Sequence, residues 1–220
     1  MTGIVLIRSG SKSIKDKNVQ EVSGKPLVYW ILNSLEKSKV DQFFLSTDSE
    51  EYISLVKSFG FSKLRTHLRK NKETFSDTAT SEIAIIDLIR EMNIEDDIVF
   101  CQATSPLTTF KDIDSCINSY KDYDSVLSVV EQKRFVWNKN GTPQNYEVSN
   151  RPRRQDFEGF LVENGAIYIN SSANILKDEC RLSGEIGLVK MSEENYLEID
   201  EPTDLLIVET IMKKRKNNEK

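Results

Sequence analysis

At 220 residues the chain is long enough for one domain with a buried core, and 38% hydrophobic against 30% charged residues gives that core an unusually charged surface. A net charge of −5 argues against a general nucleic-acid binder, without excluding a local cationic site for an anionic substrate. No apolar run reaches membrane-spanning length, Met1–Ile7 lacks a signal peptide's basic start and long apolar stretch, and the 3 cysteines are widely spaced without a C-x-x-C. Reduced thiols and a cytoplasmic location are therefore expected, with no zinc site and no membrane or nucleic-acid partner.

Taken in order, the apolar run Ile4–Ile7 has strand length and breaks into a loop holding Arg8, Ser9, Gly10, Ser11, Lys12, Lys15, Lys17 and Asn18. Such a loop can hold phosphate, because backbone N–H groups approach closely where side chains are small and Lys and Arg supply charge. It also reads as a solvated Lys-rich turn, and its spacing is neither a Walker A nor a dinucleotide fingerprint. Val19–Gly24 reads as a turn, and Gly24-Lys25-Pro26-Leu27 opens a helix with Pro26 at its first position. Leu27, Ile31 and Leu35 share one face of that helix, with Trp30 packed beside them. A strand over Gln42–Ser46 comes next, then Ser46-Thr47-Asp48-Ser49, which caps a helix over Glu50–Phe59 ending at Gly60, with Asp48 as a capping residue. Phe61–Phe75 reads as polar and irregular, which places His67, the one histidine, on a surface loop without catalytic work. Ser76, Thr78 or Thr80 then caps an amphipathic helix over Ile83–Met92.

Asp97–Cys101 is a buried-type strand running into Gln102-Ala103-Thr104-Ser105-Pro106-Leu107-Thr108. Gln102 falls where a strand ends, the usual ligand edge of an open α/β sheet; its amide can read sugar hydroxyls or an N-acyl group, or satisfy local backbone. A helix over Lys111–Lys121 and a strand over Ser125–Glu131 complete an alternation that predicts an α/β fold, an open and mostly parallel sheet flanked by helices. Asn140-Gly141 after Phe135-Val136-Trp137 predicts a hairpin turn. Arg151, Arg153 and Arg154 are close enough to need either solvent or an anion such as a carboxylate or phosphate. Asn164-Gly165 predicts a turn or bulge before a strand over Ala166–Ile169, Ser171–Leu188 reads as an excursion, and Ile186–Met191 as a strand. Glu198 and Asp200 are two apart and face the same side of an extended chain. Such a pair is costly unless it meets a cation, and Mg²⁺ takes one or two carboxylates together with substrate phosphates. Asp200 equally suits a cap for the last helix, begun by Pro202, whose basic stretch Lys213–Lys216 complements the helix dipole.

An ordered set of strings resembles the CMP-sugar-acid synthetases, the acylneuraminate cytidylyltransferases. They are the loop with Arg8, Ser11, Lys12, Lys17 and Asn18, then G-K-P-L from Gly24, S-T-D-S from Ser46, D-T-A from Asp77, Q-A-T-S-P-L from Gln102, R-R-Q-D from Arg153, E-N-G-A-I-Y-I from Glu163 and E-I-D-E-P from Glu198. Departures are Ile7 for Ala, Ser13 for Gly, Ala103 for Pro, Thr108 for Arg and Glu198 for the first Asp of D-I-D. The resemblance implies one Rossmann-like nucleotidyltransferase domain over residues 1–220 with a dimerisation and substrate-binding excursion at about 132–188, acting as a homodimer. It implies transfer of CMP from CTP to a nine-carbon 2-keto sugar acid with release of pyrophosphate. By the same resemblance Arg8, Lys17 and Asp200 are catalytic; Arg8, Ser11, Lys12, Lys17, Asn18, Ser81 and Arg69 hold nucleotide; Gln102, Arg153, Arg154 and Tyr168 hold the sugar acid; and Asp200 with Glu198 holds Mg²⁺. Two alternatives stand beside it. One is a nucleotidyltransferase for 3-deoxy-octulosonate. The other is a CTP-binding regulatory module without catalysis, motivated by the departures at Ser13, Thr108 and Glu198.

Overall fold

In a computed structural model that describes residues 1–218, the first strand, β1 (Thr2–Leu6), is buried from Thr2 to Val5 and already sits inside the main sheet. Its side chains alternate, so Ile4 and Val5 enter separate apolar clusters on the two faces. The Val19–Gly24 turn is a small hairpin of β2 (Glu21–Val22) and β3 (Lys25–Pro26), bent at Ser23 and Gly24, which both have positive φ. Pro26 belongs to that hairpin and occupies the N-cap, so α1 (Leu27–Lys37) begins one residue later than the sequence predicts. Leu27, Val28, Ile31, Leu32 and Leu35 give α1 its buried face.

β4 (Gln42–Thr47) leads into α2 (Glu50–Lys57), whose cap is Ser49, accepting from the Tyr52 N–H; Asp48 is not the cap. The stretch expected to be irregular contains a strand, β5 (Leu64–Leu68), paired in parallel with β4. It is an edge strand with one neighbour, so polar side chains can point to solvent and its apolar pattern is weak. His67 accordingly is not on a surface loop but 2% exposed. Next come α3 (Ser81–Met92), capped by Thr80, β6 (Asp97–Cys101), and α4 (Phe110–Ser119), entered through a capping box of Thr109 and Asp112. β7 (Ser125–Gln132), β8 (Phe160–Ser171), α5 (Ser172–Asp178), β9 (Ile186–Met191) and α6 (Pro202–Asn218) complete the fold.

The 7 strands run β5-β4-β1-β6-β8-β7-β9, and only β8 is antiparallel to its neighbours. The expected mostly parallel α/β sheet is therefore what forms. Within the stretch 132–188, β8 pairs on both sides and belongs to the sheet, as does the start of β9. Residues 133–159 lie outside it: an isolated bridge joins Trp137 and Pro143 around Gly141, and Arg151 stacks 4.3 Å from the Phe135 ring centroid. A third apolar cluster of Val22, Leu27, Leu107, Ile199, Val208 and Met212 holds α6 and the hairpin against the sheet's carboxyl edge.

Gly3 leaves no room for a side chain, since a Cβ there would stand 2.7 Å from Phe43 Cβ and 3.1 Å from Leu35 Cδ2. Gly3→Ala should destabilise the protein by about 1–3 kcal/mol through overpacking, read as a lower urea midpoint with unchanged m-value.

Candidate active site

Four parallel strands end on one edge, and the residues just beyond them build a cleft there. β1 delivers Arg8, β4 delivers Asp48, β5 delivers Arg69 and β6 delivers Gln102. The loop after β1 is held by its own polar groups. Asp48 accepts from the Ser9 N–H at 2.8 Å and the Ser9 hydroxyl at 2.5 Å. Burial alone would raise the Asp48 pKa, but these bonds and the Arg69 charge hold it below the ordinary carboxylate value. Asn18, 8% exposed, donates to the Arg8 carbonyl and closes the loop on itself. Positive φ in the loop falls on Gly10 and Asp16, not on Ser13, so serine is tolerated where the resembled motif has glycine.

Arg8 donates to the carbonyls of Phe75 and Ser76 and pairs with Asp77 at 3.1 Å; Lys12 meets the other Asp77 oxygen at 2.7 Å. One carboxylate thus sits between two loop cations, and it is drawn below its ordinary pKa by bonds from Lys12 and Arg8. Arg69, 5% exposed, donates to the Ile7 carbonyl at 2.6 Å, while its Nε is buried without a partner. Burial depresses the guanidinium pKa, and Asp48 and Asp87 oppose that shift. Arg8, Lys17, Asn18, Arg69, Ser81 and Thr104 line a cavity of about 210 Å³. Asn18, Ser81 and Thr104 also border a second cavity of about 290 Å³, which continues the first to Gln102, Glu198 and Asp200.

The acidic end is positioned by a backbone bond from the Ile199 N–H to the Thr104 carbonyl, 2.8 Å, and by full burial of Ile199. Glu198 and Asp200 flank that anchor and both border the second cavity. Asp204, not Asp200, receives the N–H groups of Asp200 and Glu201 before α6, which leaves the Asp200 carboxylate to meet Lys17 Nζ at 2.9 Å. Glu198 Oε1 is buried without a partner. Burial first, and then the charge of Asp200, raise the Glu198 pKa, while Lys17 pulls the other way. The carboxylate rests on Gly165, where a Cβ would overlap Oε1 and stand 3.2 Å from Gln102 Oε1. Gly165 has φ +68°, and Asn164 beside it is fixed by Ser128 and the Asn195 carbonyl, so a bulge in β8 makes the floor of the site.

The structure brings Arg8, Lys17, Asn18, Arg69, Ser81, Gln102, Glu198 and Asp200 to this cleft. Ser11 and Lys12 stay on the loop above it, with Lys12 turned to Asp77. Tyr168 does not border either cavity: it is 4% exposed, stacks on Phe100, carries Arg181 4.8 Å from its ring centroid and donates to Glu163. Arg153 and Arg154 are exposed on residues 133–159, paired with Asp156 at 2.7 Å and Glu193 at 4.0 Å. Sequence reasoning did not single out Asp77 or Glu163 as partners, nor Gly165 as the floor. The unbalanced cations of the first loop signalled that an acid was needed there, but not which one.

A family model described as Cytidylyltransferase matches residues 2–215. N-acylneuraminate cytidylyltransferase B of Danio rerio is 33% identical over 215 residues, and N-acylneuraminate cytidylyltransferase of Oncorhynchus mykiss 32% identical over 220 residues. These alignments cover 94% and 95% of this chain but 50% and 49% of those proteins, so the chain spans about half the length of the curated relatives it matches. Among solved structures, CMP:2-keto-3-deoxy-manno-octonic acid synthetase complexed with CTP aligns with a TM-score of 0.71 at 15% identity, covering 97% of this chain and 98% of that one. A 4-diphosphocytidyl-2C-methyl-D-erythritol synthase from Anaerococcus prevotii aligns with a TM-score of 0.71 at 11% identity, covering 96% and 95%. At these identities the two structures establish the fold.

Asp77→Asn should bind inorganic tripolyphosphate several-fold more tightly than the parent chain in isothermal titration, because Arg8 and Lys12 lose a competing carboxylate. Glu198→Gln tests the cost of the acidic end. A raised carboxylate pKa means that the folded chain keeps a proton the unfolded chain releases, so stability falls as pH rises above the ordinary Glu value of 4.5. In EDTA the variant should melt above the parent at neutral pH, with the gap closing below that value; each kcal/mol corresponds to roughly 2–4 °C for a chain of this size.

Proposed function

The chain belongs to the cytidylyltransferase family, and we propose that it transfers CMP from CTP to a nine-carbon 2-keto sugar acid, releasing pyrophosphate. The observation that carries this reading is the continuous cleft joining loop cations and the Ser81 helix entry at one end to Gln102, Glu198 and Asp200 at the other. The relatives named N-acylneuraminate cytidylyltransferase support the choice of acceptor. In the proposed reaction the anomeric hydroxyl oxygen of the acceptor forms a bond to the α-phosphorus. The bond from that phosphorus to the bridging oxygen breaks, pyrophosphate leaves with the electron pair, and the hydroxyl proton passes to solvent water.

Arg8, Ser11, Lys12, Lys17 and Asn18 take the triphosphate, with charge and close backbone holding its oxygens where negative charge grows. For Arg8 and Lys12 this means exchanging Asp77 for phosphate. Ser81 and Arg69 stand at the nucleoside end. Gln102 orients the acceptor, Arg153 and Arg154 meet its carboxylate, and Tyr168, itself outside the cleft, holds Glu163, which lines an adjoining pocket with Glu198 and Asp200. Glu198 and Asp200 fit Mg²⁺ as hard oxygen donors, since the buried Glu198 Oε1 has no partner and lies beside a second carboxylate. When bound, the ion supplies Lewis-acid polarisation of the phosphoryl oxygens. Lys17, only 12% exposed, then moves its charge from Asp200 toward the substrate.

The reading includes a homodimer and a cytoplasmic location. Ile186 and Leu188, two apart on edge strand β9, are 41% and 52% exposed and give an apolar face suited to a second copy. The three thiols are unpaired, and no helix among the described residues is long and apolar enough to cross a membrane.

Pyrophosphate release should be measured with CTP, Mg²⁺ and N-acetylneuraminic, legionaminic and pseudaminic acids, with 3-deoxy-octulosonate as the competing acceptor. Release with a nine-carbon acid is expected. Release with 3-deoxy-octulosonate alone would replace the acceptor, and CTP binding with no release would favour the regulatory module. Asp200→Asn should abolish turnover with an unchanged circular dichroism spectrum. Arg154→Ala should raise the sugar-acid KM far more than the CTP KM.

A further inference from the structure

The chain's one histidine is buried between β4, β5 and α3 and does not itself border the cleft, although Arg69, two residues on, does. His67 comes from β5, and Asp87 and Glu91 come from α3, four residues apart and so on one face of the helix. One nitrogen or oxygen ligand atom from each of these three residues lies within 4.8 Å of the other two. His67 Nε2 is 2.7 Å from Glu91 Oε2, and Nδ1 is 2.9 Å from the hydroxyl of Ser46, itself fully buried. That pairing satisfies the imidazole but not the rest of the cluster: Asp87 Oδ2 is shielded from solvent and has no hydrogen-bond partner. An orphaned carboxylate oxygen beside an imidazole is an expensive arrangement for a fold to keep.

We propose that His67, Asp87 and Glu91 form a binding site for a divalent transition-metal cation of the zinc class, separate from the Glu198 and Asp200 pair. Without a cation, Nε2–H donates to Glu91; on binding, the cation would take that proton's place, with Nδ1–H donating to Ser46 and the Nε2 lone pair directed to the metal, the outer-shell arrangement that fixes metal-ligating imidazoles elsewhere. One nitrogen and two carboxylates suit Zn²⁺ or Co²⁺, whereas Mg²⁺ prefers an all-oxygen shell. Glu91, with a side chain 44% exposed, is the open side through which the cation enters. Arg69 is the nearby cation: the charge of Asp87 favours its ionised form. The site would cross-link edge strand β5 to α3. The residue just beyond β5 is Arg69 and the first residue of α3 is Ser81, so both are anchored by the elements the cation joins.

The test is isothermal titration of EDTA-treated full chain with ZnCl₂ in excess Mg²⁺, which occupies the all-oxygen pair, together with melting curves and the visible spectrum of the Co²⁺ form. One equivalent of Zn²⁺ should bind, raise the melting temperature and, as Co²⁺, give an absorption band of low-coordinate cobalt. Glu91→Gln, at an exposed position that should fold normally, should weaken Zn²⁺ binding at least tenfold and abolish the melting shift, and Asp87→Asn should do the same. Asp200→Asn should leave all three readouts unchanged. The proposal is overturned if no Zn²⁺ binds under Mg²⁺, or if binding is equally strong in Glu91→Gln and Asp87→Asn.

Discussion

The ion pair of Lys17 and Asp200 joins the first loop of the chain to the segment before its last helix, 183 positions apart in sequence. With one partner largely exposed it contributes little stability, on the order of 0.2–1 kcal/mol for such pairs. Its weight is geometric. It spans the cleft between the cationic first loop and the carboxylate pair, and as a side-chain pair it can open without unfolding anything. The firm anchors lie behind it: Ile199 bonded to the Thr104 carbonyl, Asn18 bonded to the Arg8 carbonyl, and Gly165 beneath Glu198.

The same logic explains how a chain with net charge −5 presents cations to an anion. Arg8 and Lys12 face Asp77, Lys17 faces Asp200, and Asp48 holds Ser9. Positive groups of the cleft are neutralised internally, so the loop does not fly apart by self-repulsion before a ligand arrives. Under the proposed reading, a triphosphate would replace weak, solvated carboxylate partners rather than order a charged loop from nothing.

Much of this was legible in the residues. Apolar runs separated by amphipathic helices gave the parallel sheet, and small-residue loops after β1 and β6 marked its ligand edge. Glu198 and Asp200 were readable as a pair because alternation on an extended segment depends only on neighbours. What escaped notice depends on distant partners. Leu64–Leu68 reads as loop because an edge strand needs few apolar residues, and nothing near His67 in sequence announces Ser46 or Glu91, which lie 21 and 24 positions away. Pro26 looks like a helix start until the hairpin claims it. Tyr168 sits inside a family-like string, yet its ring is committed to Phe100 and Arg181, contacts set by packing and invisible in the string.

The sheet is continuous only through β8, which enters between β6 and β7 and runs against both. On a ribosome the strands β5, β4, β1 and β6 can assemble by local crossovers as soon as they emerge. The open edge of β6 must then wait for residues 160–171, and β7, made earlier, has no partner until the same segment arrives. Closure of the sheet is thus the non-local, entropically slow step of folding. The interval before it is when β6 and β7 are exposed to pairing with other chains, so translation pauses ahead of residue 160 would lengthen the vulnerable phase, and early availability of β8 would shorten it.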